Sequence, residues 1–186
     1  MRDTSGRIRK TKDKIVSALF LLLEKNSYEE ITIQEIAAAC GITRRTIYRH
    51  FKSKDEMLFF SFEVYAKKMS DHLLAAQIKD FRSLCLAYFS FWEENIDYLI
   101  SLRDAGILYK LGNSFESMVH MIAVNMAPEK LPSGVSREEY LEKYKYHFGY
   151  RTAGFWHVTE IWCNENNRKT PDEMAVIMTE VAGRMK

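Results

Sequence analysis

The chain of 186 residues is 47% hydrophobic and 28% charged, which are ordinary values for a globular protein with a substantial core. Its eight glycines and three prolines are too few for a turn-rich all-β fold, so we expect an all-α protein. The net charge is +2, but residues 1–56 hold 12 Lys/Arg against 8 Asp/Glu, and the remaining residues hold 15 against 17. A basic first third on a faintly acidic body favours a module that meets a polyanion.

The sequence lacks the signatures of several classes of function. The three cysteines are far apart and do not have the spacing of zinc sites or disulfides, so we expect reduced thiols. The N-terminus is charged, and the longest apolar run, Ala18–Leu23, is far shorter than the roughly 20 residues that a bilayer requires. We therefore expect a cytoplasmic protein with no membrane partner. No nucleophile–base set or phosphate-binding glycine loop appears, so we predict no catalytic residue and no cofactor.

The chain begins with a polar, basic stretch, residues 1–10, which we expect to be a flexible arm. Two interpretations remain open for it. It is either a frayed terminus, or an arm whose Arg7, Arg9 and Lys10 contact nucleic-acid phosphates.

Two helices are predicted next. Apolar residues recur every three or four positions between residues 12 and 25, which is typical of one buried helical face. Thr32 and Glu35 have the spacing of a capping box at the start of a second helix, residues 33–40. Gly41 fits the left-handed position that closes a helix.

The stretch Thr43–Lys54 has the pattern of a recognition helix. Thr43 can cap a short helix in which Ile47 and Phe51 face inward, toward the preceding helices. Arg44, Arg45 and Tyr48 then lie on the outer face near the N-terminal end, where helix-turn-helix proteins contact bases. The stretch contains no acidic residue. The alternative is a basic helix that is merely solvated, but the helix–Gly–helix context favours the recognition helix.

The rest of the chain is predicted to form a body of helices. Ser53 and Glu56 predict another capping box, which opens a long helix over residues 54–76. Further helices are predicted near residues 80–94, 96–110, 113–126, 137–165 and 171–185. Thr170–Glu173 has the threonine cap, the first-turn proline and the glutamate that start a helix. We therefore expect two domains, residues 1–53 and 54–186.

The segment Ile31–Leu58 resembles the N-terminal domain of the TetR family of bacterial transcriptional regulators. The likeness is specific in pattern and covers roughly residues 10–60, while the rest matches only in length and helical character. The resemblance implies a three-helix helix-turn-helix domain followed by a helical domain for ligand binding and dimerisation. The matching positions are Ile36-Ala37, Gly41-Ile42, Thr46-Ile47-Tyr48, His50-Phe51 and Lys52-Ser53-Lys54.

The resemblance also implies roles for residues of the recognition helix. Thr43, Arg44 and Arg45 are expected to face bases. Tyr48 and His50 are expected to contact phosphates, and Tyr48 also a thymine methyl group. Arg45 departs from the family, which often has a small residue there, so the operator sequence does not carry over. Arg45 reads an additional base or turns to a phosphate.

Phosphate contacts are implied outside that helix as well. Lys54 is expected to bind phosphate with the help of the dipole of its own helix. Thr32 and Gln34 are expected to do so from the second helix. The complete predicted DNA-binding set is Thr32, Gln34, Thr43, Arg44, Arg45, Thr46, Tyr48, Arg49, His50, Lys52 and Lys54.

The body is rich in aromatic residues. Such residues belong to a hydrophobic core more often than to a binding pocket. Rings with a hydroxyl or N–H group nevertheless also suit a pocket for an apolar or planar ligand. Small residues at Gly149, Ala153 and Gly154 allow close helix packing in a dimer, or simply fit around bulky neighbours. His157 and Glu160 lie three apart, but two ligands are too few for a metal, and we predict none. The predicted ligand-binding set is Tyr65, Tyr88, Trp92, Met118, Met121, His147 and Tyr150.

We therefore predict a homodimeric regulator, most simply a repressor, that binds a palindromic operator in double-stranded DNA and is released by a small-molecule effector. It is not expected to be an enzyme. The alternative is a helical small-molecule-binding or enzymatic protein whose basic N-terminus is a protein-interaction module. The two differ in whether affinity for duplex DNA falls steeply with salt.

Overall fold

The computed structural model describes residues 4–112, 114, 115, 119 and 136–184, and these residues form helices joined by short connections. The all-α prediction is confirmed for this part of the chain. Residues 108–112 are also helical. The helices are α1 (Thr4–Leu23), α2 (Ile33–Ala39), α3 (Arg44–His50), α4 (Lys54–Ala75), α5 (Phe81–Glu94), α6 (Ile96–Asp104), α7 (Arg137–Asn164) and α8 (Pro171–Arg184).

Helices α1, α2 and α3 pack against one another around a small apolar core. Ile15 and Leu19 of α1, Ile36 of α2 and Ile47 of α3 are completely buried. Full burial of side chains of this size is worth about 1.5–3 kcal/mol each, which outweighs the weak intrinsic stability of two seven-residue helices. The core therefore fixes which face of each short helix points outward.

The turn between α2 and α3 depends on Gly41. Its φ of +63° lies in the left-handed region, which side chains disfavour. The Gly41 N–H donates to the Ala38 carbonyl at 3.1 Å, and the Ile42 N–H donates to the Ala37 carbonyl at 3.0 Å. These bonds close α2 and turn the chain into α3, as the sequence predicted.

Two predicted boundaries were wrong. Residues 4–10, expected to be a flexible arm, are the first turns of α1. The helix expected over residues 96–110 ends at Asp104, because Gly106 adopts a φ of +69° and the chain restarts as a helix at residue 108. Most of the helix expected over residues 113–126 lies outside the described residues.

The body is built around α5, which packs extensively against α8 and also contacts α4 and α6. The segment of residues 108–112 lies against α7, where a side chain at Gly112 would come within 2.3 Å of the Trp156 indole nitrogen. Tyr88 of α5 and Thr159 of α7 share a hydrogen bond of 2.8 Å. None of the described helices combines the length and apolar character needed to cross a membrane.

The three cysteines are unpaired and buried in these cores. Burial raises the pKa of all three thiols, and that of Cys85 to about 12. Because the thiolate is the reactive form, this burial disfavours oxidation chemistry at Cys40, Cys85 and Cys163.

Candidate nucleic-acid interface

Helix α3 presents a basic outer face. Arg44, Arg45 and Arg49 are exposed, and the Tyr48 side chain is 49% exposed, whereas Ile47 is fully buried. Thr43 caps the helix by accepting a hydrogen bond of 3.2 Å from the Thr46 N–H. The capped end places Arg44 and Arg45 at the start of the helix.

Two carboxylates close in sequence to this face, those of Glu35 and Glu56, are hydrogen-bonded to backbone N–H groups. Glu35 accepts hydrogen bonds from the backbone N–H and the hydroxyl of Thr32, and these bonds lower the pKa of Glu35. Glu56 accepts from the backbone N–H of Lys52. The predicted capping box at Ser53 is therefore only half formed, because Ser53 caps the Glu56 N–H while Glu56 reaches one residue further back. Both acids are held at the starts of helices, Glu35 at α2 and Glu56 at α4.

His50, at the end of α3, has a lowered pKa. Burial is the main cause, and the positive charges of Arg49 and Lys12 add to it. The unfolded chain then binds this proton more tightly, so His50 favours folding less as the pH falls below its ordinary value of 6.5. At neutral pH His50 is a neutral hydrogen-bonding group among cations.

Two predicted phosphate contacts already have partners. The Thr32 hydroxyl takes part in the capping box of α2. The Lys54 ammonium donates to the backbone carbonyls of Tyr28, Glu29 and Ile31. The Lys54 nitrogen also lies 4.7 Å from the centre of the Tyr28 ring. Lys54 thus holds the connection between α1 and α2 against the start of α4, and its phosphate contact stays a prediction.

A second network joins this domain to the body. The Asp55 carboxylate accepts hydrogen bonds from the Tyr28 hydroxyl at 3.0 Å and from the Lys110 ammonium at 2.7 Å. The Lys110 bond, followed by that of Tyr28, lowers the pKa of Asp55. Burial, with help from Asp55, raises the pKa of Tyr28. We call Tyr28, Lys54, Asp55 and Lys110 the junction cluster.

Three of the predicted ligand-binding residues form one stack of rings in the body. The Tyr65 ring lies parallel to Trp92 at 6.3 Å between centres, and Trp92 meets Tyr88 edge-on at 6.4 Å. Trp92 is completely buried and Tyr88 nearly so. The indole N–H groups of Trp92 and Trp156 are buried without a well-formed hydrogen bond.

The other predicted ligand-binding residues do not join this stack. Tyr150 lies on α7 with 67% of its side chain exposed, in contrast to the buried rings of Trp92 and Tyr88, and its role in ligand binding stays a prediction. Met118, Met121 and the side chain of His147 lie outside the described residues. His157 Nδ1 lies 3.3 Å from Glu160 Oε2, and no group of three possible metal ligands occurs in the described part of the chain.

The junction cluster could not be found from the sequence. Its members are 27 and 55 residues apart in the pairs that meet at Asp55, so no local periodicity connects them. The basic outer face of α3, in contrast, is set by neighbouring residues and was predicted.

Comparison with known proteins agrees with this geometry. The model of the family described as "Bacterial regulatory proteins, tetR family" matches residues 15–59, which run from α1 into α4. Residues 15–59 thus match the TetR-family model, on about a quarter of the chain. The predicted resemblance is therefore confirmed, on the same segment that carries the candidate interface.

One relative extends the likeness beyond that segment. It is 28% identical over 144 residues to the uncharacterized HTH-type transcriptional regulator YerO of Bacillus subtilis (strain 168). The match covers 72% of this chain and 49% of that protein, so the chain spans about half the length of this relative.

Solved structures show the same fold. A TetR transcriptional regulator from Streptococcus agalactiae 2603V has a TM-score of 0.58 at 19% identity, with 91% of each chain covered. The dihydroxyacetone kinase operon activator DhaS has a TM-score of 0.57 at 15% identity, with 94% of this chain and 95% of that chain covered. At these identities the likeness concerns the fold alone.

The role of Lys54 in the fold can be separated from any role in DNA binding. Lys54→Met removes an ammonium with three carbonyl partners, and we expect the free energy of unfolding to fall by about 2 kcal/mol. Lys52→Met, at a neighbouring exposed lysine, should change it by less than about 0.5 kcal/mol. Urea denaturation of both variants measures the difference. Equal midpoints for the two variants would show that the Lys54 bonds contribute nothing to stability.

Proposed function

We propose that this protein is a DNA-binding transcriptional regulator whose helix α3 enters the major groove. The observation that carries the proposal is the outer face of α3, where arginines and Tyr48 are exposed opposite the buried Ile47. A helix of this kind fits the width of the major groove, and its first residues reach the base edges.

The positions along α3 suggest separate roles. Arg44 and Arg45, at the capped start, are placed to read bases, since a guanidinium donates two bonds to guanine. Tyr48, Arg49 and His50 follow toward the helix end, where the groove wall carries phosphates. A neutral His50 can donate to a phosphate oxygen without a charge penalty from Arg49.

A homodimer supplies two such helices. Helix α7 exposes Tyr146, Tyr150 and Ile161, with 81%, 67% and 50% of the side chain accessible, and α8 exposes Val176 and Val181. Tyr146, Tyr150 and Ile161 are four and eleven residues apart, so they form an exposed apolar stripe on one face of α7, which a second copy of the chain can cover. A two-fold dimer would place its recognition helices on the two halves of a palindromic operator.

Repression is the simplest mode of regulation, because it requires only that the dimer occupy a promoter. A small-molecule effector would bind the body beside the stacked rings, where the buried indole N–H groups of Trp92 and Trp156 lack a well-formed hydrogen bond. It releases DNA only if it binds the DNA-free arrangement better. A compound that raises the Tm yet leaves duplex affinity unchanged would not be this effector.

Duplex titration with arginine variants tests the DNA-binding proposal. We expect Arg44→Ala and Arg45→Ala each to weaken binding to a duplex from upstream of the protein's own gene by about tenfold or more. Arg82→Ala, which removes an exposed arginine of the body, is the matched control and should change affinity little. Titrations at two salt concentrations give the slope of log K against log salt.

The slope also shows whether Arg45 contacts a phosphate or a base. If Arg45 contacts phosphate, its loss in a dimer reduces the magnitude of the slope by about 2. If Arg45 reads a base, the slope of Arg45→Ala equals that of the unmodified chain, but the variant prefers the upstream duplex over random duplex less strongly. An affinity that does not depend on salt, or that is equal in both variants and Arg82→Ala, would contradict the proposal and favour a protein-interaction module.

Sedimentation tests the dimer. We expect the unmodified chain to sediment at twice its 21.8 kDa mass. Tyr150→Glu combined with Ile161→Glu should give monomers, because it buries two carboxylates in the interface. Leu21→Glu alters an equally exposed apolar residue on α1 and should leave the dimer intact. A monomeric unmodified chain, or a dimer in the double variant, would refute this interface.

A further inference from the structure

A cleft of about 330 Å³ lies where α1, α4 and α6 meet, and of the stacked rings Tyr65 lines it while Trp92 and Tyr88 do not. Residues 15–23 of α1 belong to the segment that matches the family model, and α6 belongs to the body. The volume is at the lower end of the range for small-molecule sites and is large enough for two or three fused rings. A molecule in the cleft would therefore contact both parts of the protein at once.

The aromatic wall of the cleft is held in place by its own contacts. The Tyr98 ring stacks on Tyr65 at 3.7 Å and on Phe20 at 5.3 Å between centres. The Tyr98 hydroxyl shares a hydrogen bond of 2.9 Å with the Ser61 hydroxyl, and both residues are buried. A wall fixed in this way loses little side-chain entropy when a planar molecule packs against it.

Two carboxylates line the cleft from different helices. Asp13 comes from α1 and Asp97 from α6. Both are exposed, and neither forms an ion pair within residues 4–112 or the other described segments. Lys12 and Lys68 lie over the rings of Phe60 and Tyr65, but neither lysine lines the cleft.

We propose that this cleft binds a planar organic cation. The rings of the ligand pack on the aromatic wall, and its positive charge lies near Asp13 and Asp97. An anion would be repelled by both carboxylates, and a neutral ring system would gain nothing from them. Aromatic walls also attract cations directly. Because the ligand bridges α1 and α6, it fixes helices α1–α3, which include the proposed recognition helix, against the body. This consequence rests on the proposed function.

Isothermal titration calorimetry on the full chain without DNA tests the site. The probe is 1-methylquinolinium, and quinoline, which is neutral at pH 8, has nearly the same shape. We expect the cation to bind at least tenfold more tightly than quinoline at pH 8. Asp13→Asn and Asp97→Asn should each weaken binding of the cation about fivefold, the value for one unit charge about 4 Å away in water.

Two further variants separate charge from shape. Glu94→Gln removes an exposed carboxylate of α5 outside the cleft and should leave the Kd of the cation within twofold. Ser17→Phe keeps the charge but fills the cleft from the exposed side of α1, and should abolish binding. Equal affinities for the two probes, no heat from the cation at millimolar concentration, or an unchanged Kd in both aspartate variants would overturn the proposal.

The measurement is independent of the proposed function. A chain that binds 1-methylquinolinium in this way but does not bind duplex DNA would retain the cleft as a cation site and lose the regulatory role. A chain that binds duplex DNA but does not distinguish the two probes would lose only the cleft proposal.

Discussion

The burial of Ile47 and Phe51 is the constraint on which the candidate interface depends. Both side chains are essentially inaccessible, so α3 has only one orientation on α1 and α2. That orientation leaves Arg44, Arg45 and Tyr48 outside. Replacing Ile47 by alanine would cost about 2–5 kcal/mol, more than the short helix can supply by itself. The chemistry of the outer face is therefore maintained by the apolar inner face.

The start of α4 is one place where helices α1–α3 and their connections share contacts with the body. Lys54 holds the connection between α1 and α2 from one side, while Asp55 binds Tyr28 and Lys110. Lys110 lies two residues before Gly112, which packs on Trp156 of α7. A displacement of α7 would thus reach the first turn of α4 through a short chain of packed groups. The junction cluster therefore links the body to the first turn of α4, which directly follows α3 in the chain.

Features set by neighbours in sequence were predictable. The capping box at Thr32, the glycine turn at Gly41 and the cap at Thr43 each involve groups within five residues, and all were found in the structure. Glu56 shows the limit of such patterns, because its carboxylate has two backbone N–H groups within reach and takes the one at Lys52. A capping motif fixes where a helix begins more reliably than it fixes each bond.

Features set by tertiary packing were not predictable. The sequence around Gly106 did not show whether this glycine ends the helix or is tolerated inside it. The α1–α4–α6 cleft depends on three helices whose relative placement no periodicity reports. Tyr150 resembled the buried aromatic residues in type but lies on the exposed face of α7. Residue type alone therefore could not divide the aromatic residues of the body between core, ligand site and interface.

Selection from a pool of random-sequence duplexes is the most direct measurement of the central claim, that α3 reads DNA as one of a symmetric pair. The full chain is mixed with the pool, and the bound duplexes are recovered and sequenced over several rounds. We expect enrichment of an inverted repeat whose half-sites are centred about 10 base pairs, or a multiple of that, apart. The enrichment should disappear when Arg44 and Arg45 are both replaced by alanine. A bound pool with no enriched sequence, or an enriched sequence without two-fold symmetry, would contradict the account.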